Sequence, residues 1–235
     1  DNKAILKCRN MFAVGLVCWL FSRDIEIVFT LLREKFAKKP ALAEANIKVV
    51  QAGYDYGHNT HSSACNVYKV ETKEKTPGRY MDITGNKATA YGFIAAAEKA
   101  GLKLYLGSYP ITPATDVLHE LSKHKSLGVT TVQCEDEIAG CASSVGASFA
   151  GALAVTSTSG PGICLKSEAM NLAVIMELPL VVLDVQRGGP ATGLPTKSEQ
   201  TDLLQVLFGR NGESPMPVMA ATSPTAVSYT HLRAH

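Results

Sequence analysis

The residues best suited to chemistry lie in four short segments of the second half of the chain, which are 109–113 (YPITP), 133–137 (QCEDE), 156–162 (TSTSGPG) and 186–197 (QRGGPATGLPTK). The guanidinium of Arg187 could bind a carboxylate through two parallel hydrogen bonds. The serines and glycines of 156–162 could expose backbone amides that bind an anion, although they match neither common glycine-rich phosphate motif. Three consecutive acids, Glu135, Asp136 and Glu137, complete the set.

Each segment also has a purely structural interpretation. Pro110 and Pro113 could stiffen a turn and start a helix. The acids up to Glu137 could simply complement the positive end of a helix dipole. Arg187 could be a solvated surface charge, and 156–162 could be a tight loop under close packing. A single segment therefore indicates no function, and the argument depends on how the four are arranged.

All four segments follow short apolar runs that predict strands. The runs are 102–106, 129–133, 152–156 and 178–185, and helical stretches near 87–100, 115–125, 136–150, 165–176 and 198–208 alternate with them. This alternation predicts an α/β fold with a doubly wound parallel sheet. Ligands of open α/β sheets bind outside the carboxyl ends of the strands, so the four segments are expected to converge on one crevice.

The first part of the chain has a different pattern. Apolar residues recur at helical spacing through residues 1–57, and 58–80 loses this spacing, which predicts a linker before a second domain at 81–226. The apolar run 11–21 is much shorter than the roughly 20 residues that cross a bilayer, so we expect a buried helix there and no membrane partner.

Neither end of the chain is expected to be native. The chain opens at Asp1 without a methionine, and residues 227–235 resemble one reading frame of a transposon-type sequencing adapter. Residues 227–235 are therefore excluded from the fold prediction. The rest is expected to be an internal fragment of a longer subunit, with its second domain truncated at the C-terminal side.

Charge and cysteine content narrow the possible partners. The chain has 23 basic and 21 acidic residues, so its net charge of +2 offers no broad basic face for nucleic acid or an anionic membrane. Its six cysteines include no C-x-x-C pair, which predicts no metal site and no iron–sulfur cluster ligated by this chain alone. A reducing cytoplasm is the simplest compartment for such a cysteine set.

Six motifs, taken in order, resemble the α subunit of 2-oxoacid:ferredoxin oxidoreductases, above all those that use 2-oxoglutarate. The motifs are 85–88 (GNKA), 109–113 (YPITP), 135–139 (EDEIA), 158–162 (TSGPG), 184–187 (DVQR) and 192–200 (TGLPTKSEQ). The resemblance runs from about residue 10 to residue 221 and implies that 81–226 holds the pyrimidine ring of thiamine pyrophosphate. Residues 1–57 resemble the end of the γ-type domain that some of these α subunits carry.

The resemblance also implies roles for single residues. Glu137 is similar to the glutamate that hydrogen-bonds N1′ of the aminopyrimidine and favours the imino tautomer, which then removes the C2 proton of the thiazolium. Thr112 and Arg187 resemble positions that hold the 2-oxoacid, and Thr196 is expected to border the same pocket. Pro110, with Thr112 and Glu137, is expected to contact the cofactor.

The implied reaction needs a partner. The chain has no Gly-Asp-Gly motif followed by Asn, no cysteine set for a [4Fe–4S] cluster and no evident coenzyme A motif. In the family, a β-type subunit carries the magnesium and diphosphate site and the cluster. The implied activity is oxidative decarboxylation of a 2-oxoacid, with 2-oxoglutarate favoured, to its acyl-CoA, and the electrons pass to ferredoxin.

Two other functions stay open at this point. Another thiamine-dependent decarboxylase or a transketolase-like subunit would share the glutamate but not the segment 187–200. A non-catalytic interaction subunit of the same fold would tolerate loss of Glu137, whereas an enzyme would not.

Overall fold

The computed structural model describes residues 2–61, 67–70 and 76–233. The chain divides into two compact units, Asp1–Arg79 and Tyr80–His235. This division falls inside the predicted linker 58–80, of which 62–66 and 71–75 lie outside the described residues. The two units are described separately below.

The described residues of the first unit form three helices, which are α1 (Asn2–Leu20), α2 (Ile25–Lys35) and α3 (Pro40–His61). Helices α1 and α3 lie in close contact, because a Cβ on Gly15 would collide with the Val50 carbonyl oxygen. The apolar run 11–21 is buried on one face only, since Trp19 is buried whereas Val17 is 50% exposed. Within the described ranges, none of the helices combines the length and the apolar character that a bilayer span requires.

A parallel sheet forms the centre of the second unit. Its strands are β1 (Leu104–Ser108), β2 (Val129–Gln133), β3 (Leu153–Thr158) and β4 (Val181–Asp184), and they lie in the order β2-β1-β3-β4. The order reverses between β1 and β3, because the chain first adds β2 on one side and then continues on the other. In open α/β sheets this reversal is where ligands bind.

Helices cover the two faces of the sheet. In chain order, the helices of the second unit are α4 (Gly85–Ala100), α5 (Thr115–Leu121), α6 (Glu137–Phe149), α7 (Pro161–Ile175), α8 (Leu203–Phe208) and α9 (Pro224–Arg233). One core packs α4 and α5 against Leu104, Leu106 and Val155 of the sheet. A second core joins α6 and α7, and Val182 of β4 packs against it. Alternate strand residues thus serve opposite faces, and the predicted α/β fold with a parallel, doubly wound sheet is confirmed.

Some element boundaries differ from the sequence prediction. Strand β1 includes Gly107, where a Cβ would collide with side chains of α6, so only glycine lets helix and strand approach this closely. The helix predicted over 198–208 forms only at α8. A residue just before α8 makes a tertiary hydrogen bond instead of a helical one. The Thr201 hydroxyl donates to the Arg187 carbonyl oxygen at 3.2 Å.

Helix α9 packs against α4 and includes most of the segment predicted to be adapter-derived. That residues 227–235 derive from an adapter stays a prediction. Residues 234 and 235 lie outside the described residues.

Candidate active site

The four segments singled out in the sequence follow β1, β2, β3 and β4, at the carboxyl edge of the sheet. Three hydrogen bonds directly join residues at the ends of different strands or in the loops that follow them. The Ser108 and Ser157 hydroxyls lie 2.8 Å apart, the Arg187 side chain donates to the Thr112 carbonyl oxygen, and the Cys134 amide donates to the Ser108 carbonyl oxygen at 2.9 Å. The predicted convergence is therefore present in the fold.

Glu137 is the first residue of α6. Its neighbour Asp136 caps the helix, since the Asp136 carboxylate accepts from the Ala139 amide at 2.7 Å. The half-buried Glu137 side chain faces the turn that follows β3. A Cβ on Gly162 would collide with the Thr158 hydroxyl and would lie 3.4 Å from Oε1 of Glu137. Glycine at 162 thus leaves the carboxyl and the hydroxyl together beside bare backbone.

Buried polar atoms without a partner among the described residues gather at the ends of β3 and β4. They are Thr158 Oγ1, Ser159 Oγ, Asp184 Oδ1, Arg187 Nε and Asp202 Oδ2. Each such atom costs about 1–3 kcal/mol when no partner satisfies it. A cluster of them at one sheet edge is typical of a site that a ligand completes.

Two of these atoms, Oδ1 of Asp184 and Oδ2 of Asp202, can form a hydrogen bond with each other when the Asp184 carboxyl is protonated. Burial and the neighbouring Asp202 carboxyl raise the pKa of Asp184 to about 8, against a weaker opposing bond from the Gly160 amide. A protonated Asp184 can donate to Asp202, whose other carboxylate oxygen accepts from the side-chain amide (Nε2) of Gln186 at 2.8 Å. The hydroxyls of Thr158 and Ser159, which are fully buried, and Nε of Arg187 then remain without a partner among the described residues.

Arg187 is buried, with 5% of its surface exposed. Nη1 donates to the Thr112 carbonyl oxygen at 2.8 Å, and Nη2 donates to the Thr192 carbonyl oxygen at 2.6 Å. The interpretation of Arg187 as a solvated surface charge is therefore wrong. The side chain ties the loop after β4 to the loop after β1, and Nε together with the second hydrogens of the terminal nitrogens can still donate.

The other predicted site residues lie at different depths. Thr112 is exposed and Pro110 is half-buried, both in the loop after β1, where the Asn86 amide donates to the Pro113 carbonyl oxygen at 2.9 Å. Thr196 is exposed in a turn that folds back on Gly188, whose amide donates to the Lys197 carbonyl oxygen at 2.9 Å. The structure thus brings Thr112 and Arg187 into contact and leaves Thr196 at the rim.

The sequence prediction missed Lys166. This lysine of α7 is fully buried, and its Nζ donates to Thr156 Oγ1 at 2.8 Å and to the Glu137 carbonyl oxygen at 3.1 Å. Burial lowers the pKa of Lys166, and nearby acidic groups oppose that change. One signal was present in the sequence, because Lys166 interrupts the apolar stripe formed by Ile163 and Met170 at helical spacing.

A family model described as pyruvate flavodoxin/ferredoxin oxidoreductase, thiamine diphosphate-binding, matches residues 95–235. The chain belongs to this family. The family recognised from the six motifs is therefore confirmed, and the match includes all the predicted site residues, which are Pro110, Thr112, Glu137, Arg187 and Thr196.

Curated members of the family resemble nearly the whole chain. The 2-oxoglutarate oxidoreductase subunit KorA of Mycobacterium tuberculosis is 55% identical over 97% of this chain and 35% of its own length. Subunit alpha of 2-oxoacid:ferredoxin oxidoreductase 1 of Aeropyrum pernix is 34% identical over 97% of this chain and 36% of its own length. The chain therefore spans about a third of these relatives.

A solved structure has the same fold. The 2-oxoglutarate:ferredoxin oxidoreductase of Magnetococcus marinus, with 2-oxoglutarate, coenzyme A and succinyl-CoA bound, superposes with a TM-score of 0.78 at 35% identity. The match includes 97% of this chain and 39% of that one.

The described residues fit one end of the cofactor that the family model names. A half-buried carboxyl at a helix start and two unpaired hydroxyls offer hydrogen bonds to a polar aromatic ring. Within the described ranges, no three Cys, His, Asp or Glu side chains lie together so that they could hold a metal ion. The site thus fits the pyrimidine end of thiamine diphosphate, and the described groups include no candidate for the metal that accompanies the diphosphate.

Proposed function

We propose that this chain is part of the α-type subunit of a 2-oxoacid:ferredoxin oxidoreductase. The reaction is thiamine-dependent oxidative decarboxylation of a 2-oxoacid to its acyl-CoA, with electrons passed to ferredoxin. The names of the relatives favour 2-oxoglutarate as substrate. The observation that carries the proposal is the Glu137 carboxyl, which starts α6 and lies beside Gly162 and the unpaired Thr158 hydroxyl.

Glu137 has the acid–base role. Thiamine pyrophosphate, when bound, supplies the nucleophilic carbon that adds to the 2-oxoacid. The Glu137 carboxyl holds a proton at N1′ of the pyrimidine, and the first turn of α6 stabilises the carboxylate when that proton moves to the ring. Pro110 and Thr112 would also contact the cofactor. Partial burial of Glu137 supports this role, because a carboxyl sheltered from water exchanges its proton with the ligand rather than with solvent.

Arg187 and Thr112 hold the substrate. The free N–H groups of the guanidinium donate to the 2-oxoacid carboxylate, and the Thr112 hydroxyl donates to an oxygen beside it. Support comes from the contact between the two residues and from the exposure of the Thr112 side chain. Thr196 borders the pocket from the turn at 193–197.

A β-type partner completes the enzyme. It carries the magnesium and diphosphate site and the [4Fe–4S] cluster that reduces ferredoxin, and coenzyme A accepts the acyl group. The absence of cysteine spacing for a cluster in this chain supports that division. All five described cysteines are free, which fits a reducing cytoplasm. Residues 1–57 end a γ-type domain, 58–80 link it, and 81–226 form the pyrimidine-binding domain.

The experiment compares two neighbouring acids in the full-length subunit with its partner. Reduction of a viologen dye is measured with 2-oxoglutarate and coenzyme A. Glu137→Gln should reduce turnover by roughly 10²-fold or more, the scale of lost acid–base catalysis, because glutamine keeps the size but not the ionisable group. Glu135→Gln, two residues earlier and exposed, should leave turnover unchanged.

Parental turnover by the Glu137→Gln complex with thiamine pyrophosphate bound would contradict the proposal. It would favour either a different role for the carboxyl or an interaction subunit that does not catalyse.

A further inference from the structure

The loop 186–202, which carries Arg187, is closed at its base by side chains near its two ends. The side-chain amide of Gln186 donates to Oδ1 of Asp202 at 2.8 Å, and the Thr201 hydroxyl donates to the Arg187 carbonyl oxygen at 3.2 Å. A third contact is a side-chain hydrogen bond between Asp202 and Asp184, the last residue of β4. The Asp202 carboxyl makes no capping bond to the described amides of α8, so both of its described contacts hold this base.

The base of the loop also touches the side chain of Arg187. A Cβ on Gly160, in the turn after β3, would lie 3.6 Å from Cγ of Arg187 and 3.8 Å from Oδ2 of Asp202. The Gly160 amide also bonds to the Asp184 carboxyl, so both carboxyls and the aliphatic part of Arg187 surround the same residue. Asp202 and Arg187 are buried. Because close packing leaves little room for adjustment, a change in the separation of the carboxyls would displace Arg187.

A single proton determines whether the two carboxyls attract or repel each other. With the proton, Asp184 donates to Asp202. Without it, two negative charges face each other in a buried position, which favours their separation. Burial and the Asp202 carboxyl raise the pKa of Asp184 to about 8, so the folded protein holds this proton at neutral pH and releases it in mild base.

Among the described residues, the other groups around Asp184 do not neutralise its charge. Strand β3 places Thr158 beside it, and the bond from the Gly160 amide lowers its pKa less than burial and Asp202 raise it. The described ion pairs include neither carboxyl. Arg187 is the basic residue of this cluster, and its guanidinium donates to backbone carbonyl oxygens instead. Loss of the proton therefore leaves the repulsion between Asp184 and Asp202 uncompensated.

We propose that Asp184 and Asp202 are positioning residues for Arg187, which keep the loop 186–202 closed by sharing one proton, so that binding of the 2-oxoacid weakens when this proton leaves. The inference rests on the proposed function and deepens it, because it identifies what holds the substrate-binding arginine in place. When the carboxyls separate, the base of the loop moves and Arg187 moves with it.

The test measures kcat/KM of the complete enzyme for 2-oxoglutarate from pH 6.5 to pH 9.5. In the parent, kcat/KM should fall by roughly tenfold above pH 8, mainly through KM, because a displacement of about 1 Å at a substrate-binding group has effects of this size or larger. Return to pH 7 should restore activity, which distinguishes opening of the loop from unfolding. Asp184→Asn cannot ionise and still donates to Asp202, so its kcat/KM should fall by less than about twofold over the same range.

Asp202→Asn tests the other half of the pair. Its amide can donate to the Asp184 carboxylate while its oxygen still accepts from Gln186, so it should also lose the pH dependence. Asp184→Leu keeps the approximate size and cannot donate, so at pH 7 its KM should already match that of the parent at pH 9.5. Asp116→Asn, the same substitution at an exposed aspartate of α5, is the control and should keep the parental decline.

The proposal is overturned if either asparagine variant declines as steeply as the parent, or if the parent shows no decline. A parental KM in folded Asp184→Leu at pH 7 would also overturn it. If Asp184→Leu does not fold, the two asparagine variants decide the question, since both keep the hydrogen bond. A parent complex that does not turn over a 2-oxoacid at any pH would instead show that the proposed function fails, and this inference would fail with it.

Discussion

The charge of Arg187 is buried against backbone carbonyls rather than against acids. No carboxylate among the described residues pairs with it, and its Nε has no acceptor. A buried guanidinium without an anion is costly, and a carboxylate ligand would remove that cost. The two carbonyl bonds also fix the plane of the guanidinium, so its remaining hydrogens point in set directions. Under the proposed function, these directions are set before the substrate anion binds.

Arg187→Lys should weaken use of the 2-oxoacid. Lysine keeps the charge, but it cannot bind both the Thr112 and the Thr192 carbonyl oxygens or present a planar fork. The resulting decrease in kcat/KM should correspond to a loss of about 1–3 kcal/mol of transition-state stabilisation. Affinity for thiamine pyrophosphate, measured by calorimetry on the complex, should stay nearly parental.

The control is Arg210→Lys, because Arg210 also donates to backbone carbonyls, such as Ser214 at 3.0 Å, but away from this site. It should leave kcat/KM unchanged. If Arg187→Lys loses cofactor affinity as strongly as it loses kcat/KM, Arg187 supports the fold or the diphosphate rather than the substrate.

At this scale the sequence pointed to some of the candidate site residues and missed others. Glu137 and Arg187 were found because each belongs to a motif that follows a strand. The bond between Arg187 and Thr112 joins residues 75 positions apart, and no local pattern encodes it. Lys166 was missed because lysines on helices usually face solvent, and periodicity alone does not show that α7 is buried on this side.

Among the elements, the strands were predicted better than the irregular segments around them. β2 was predicted with its observed bounds, whereas β1 begins and ends two residues later than expected. The error at β1 arose because Gly107 ended the apolar run, although glycine is what the contact with α6 requires. The helix predicted over 198–208 was too long, because a hydrogen bond from Thr201 to the Arg187 carbonyl oxygen forms where its first turns were expected. Tertiary bonds outweighed local propensity there.

The contact between the end of β4 and the start of α8 should make stability depend on pH. Asp184 of β4 holds a proton up to about pH 8 in the folded protein, whereas its ordinary pKa is 3.8. Between these values the folded protein binds a proton that the unfolded chain has released, so stability falls as pH rises through the window. Asn at this position cannot ionise and can still donate to Asp202.

Asp184→Asn should therefore reduce the loss of folding stability that occurs as the pH rises. Its stability relative to the parent should increase from pH 5 to pH 8, as measured by thermal unfolding of the full-length protein in matched buffers. Asp116→Asn, at an exposed aspartate of α5, should keep the parental slope. Parallel curves for the parent and Asp184→Asn would show that Asp184 does not hold the extra proton.

At the scale of the whole molecule, the proposed function assigns to this chain one side of a shared site. The described residues supply a carboxyl, hydroxyls and a guanidinium at the carboxyl edge of the sheet, and the chain spans about a third of the length of its relatives. This division stays a prediction from the sequence, which lacks the motifs for a diphosphate site and for an iron–sulfur cluster. It does not predict which groups would complete the site, since the proposed function assigns these to another chain or to other parts of the subunit.

We expect the full-length subunit to be inactive alone and to gain activity only with a β-type partner. Thiamine pyrophosphate should bind where the two meet, because each side gives groups that the other lacks. Cofactor binding and complex formation should then strengthen one another by linkage. The measurements are cofactor binding by calorimetry and 2-oxoacid-dependent viologen reduction, with and without the partner. Tight binding together with dye reduction by the isolated subunit would show that the site is not shared, whereas activity that appears only on adding the partner is the expected result.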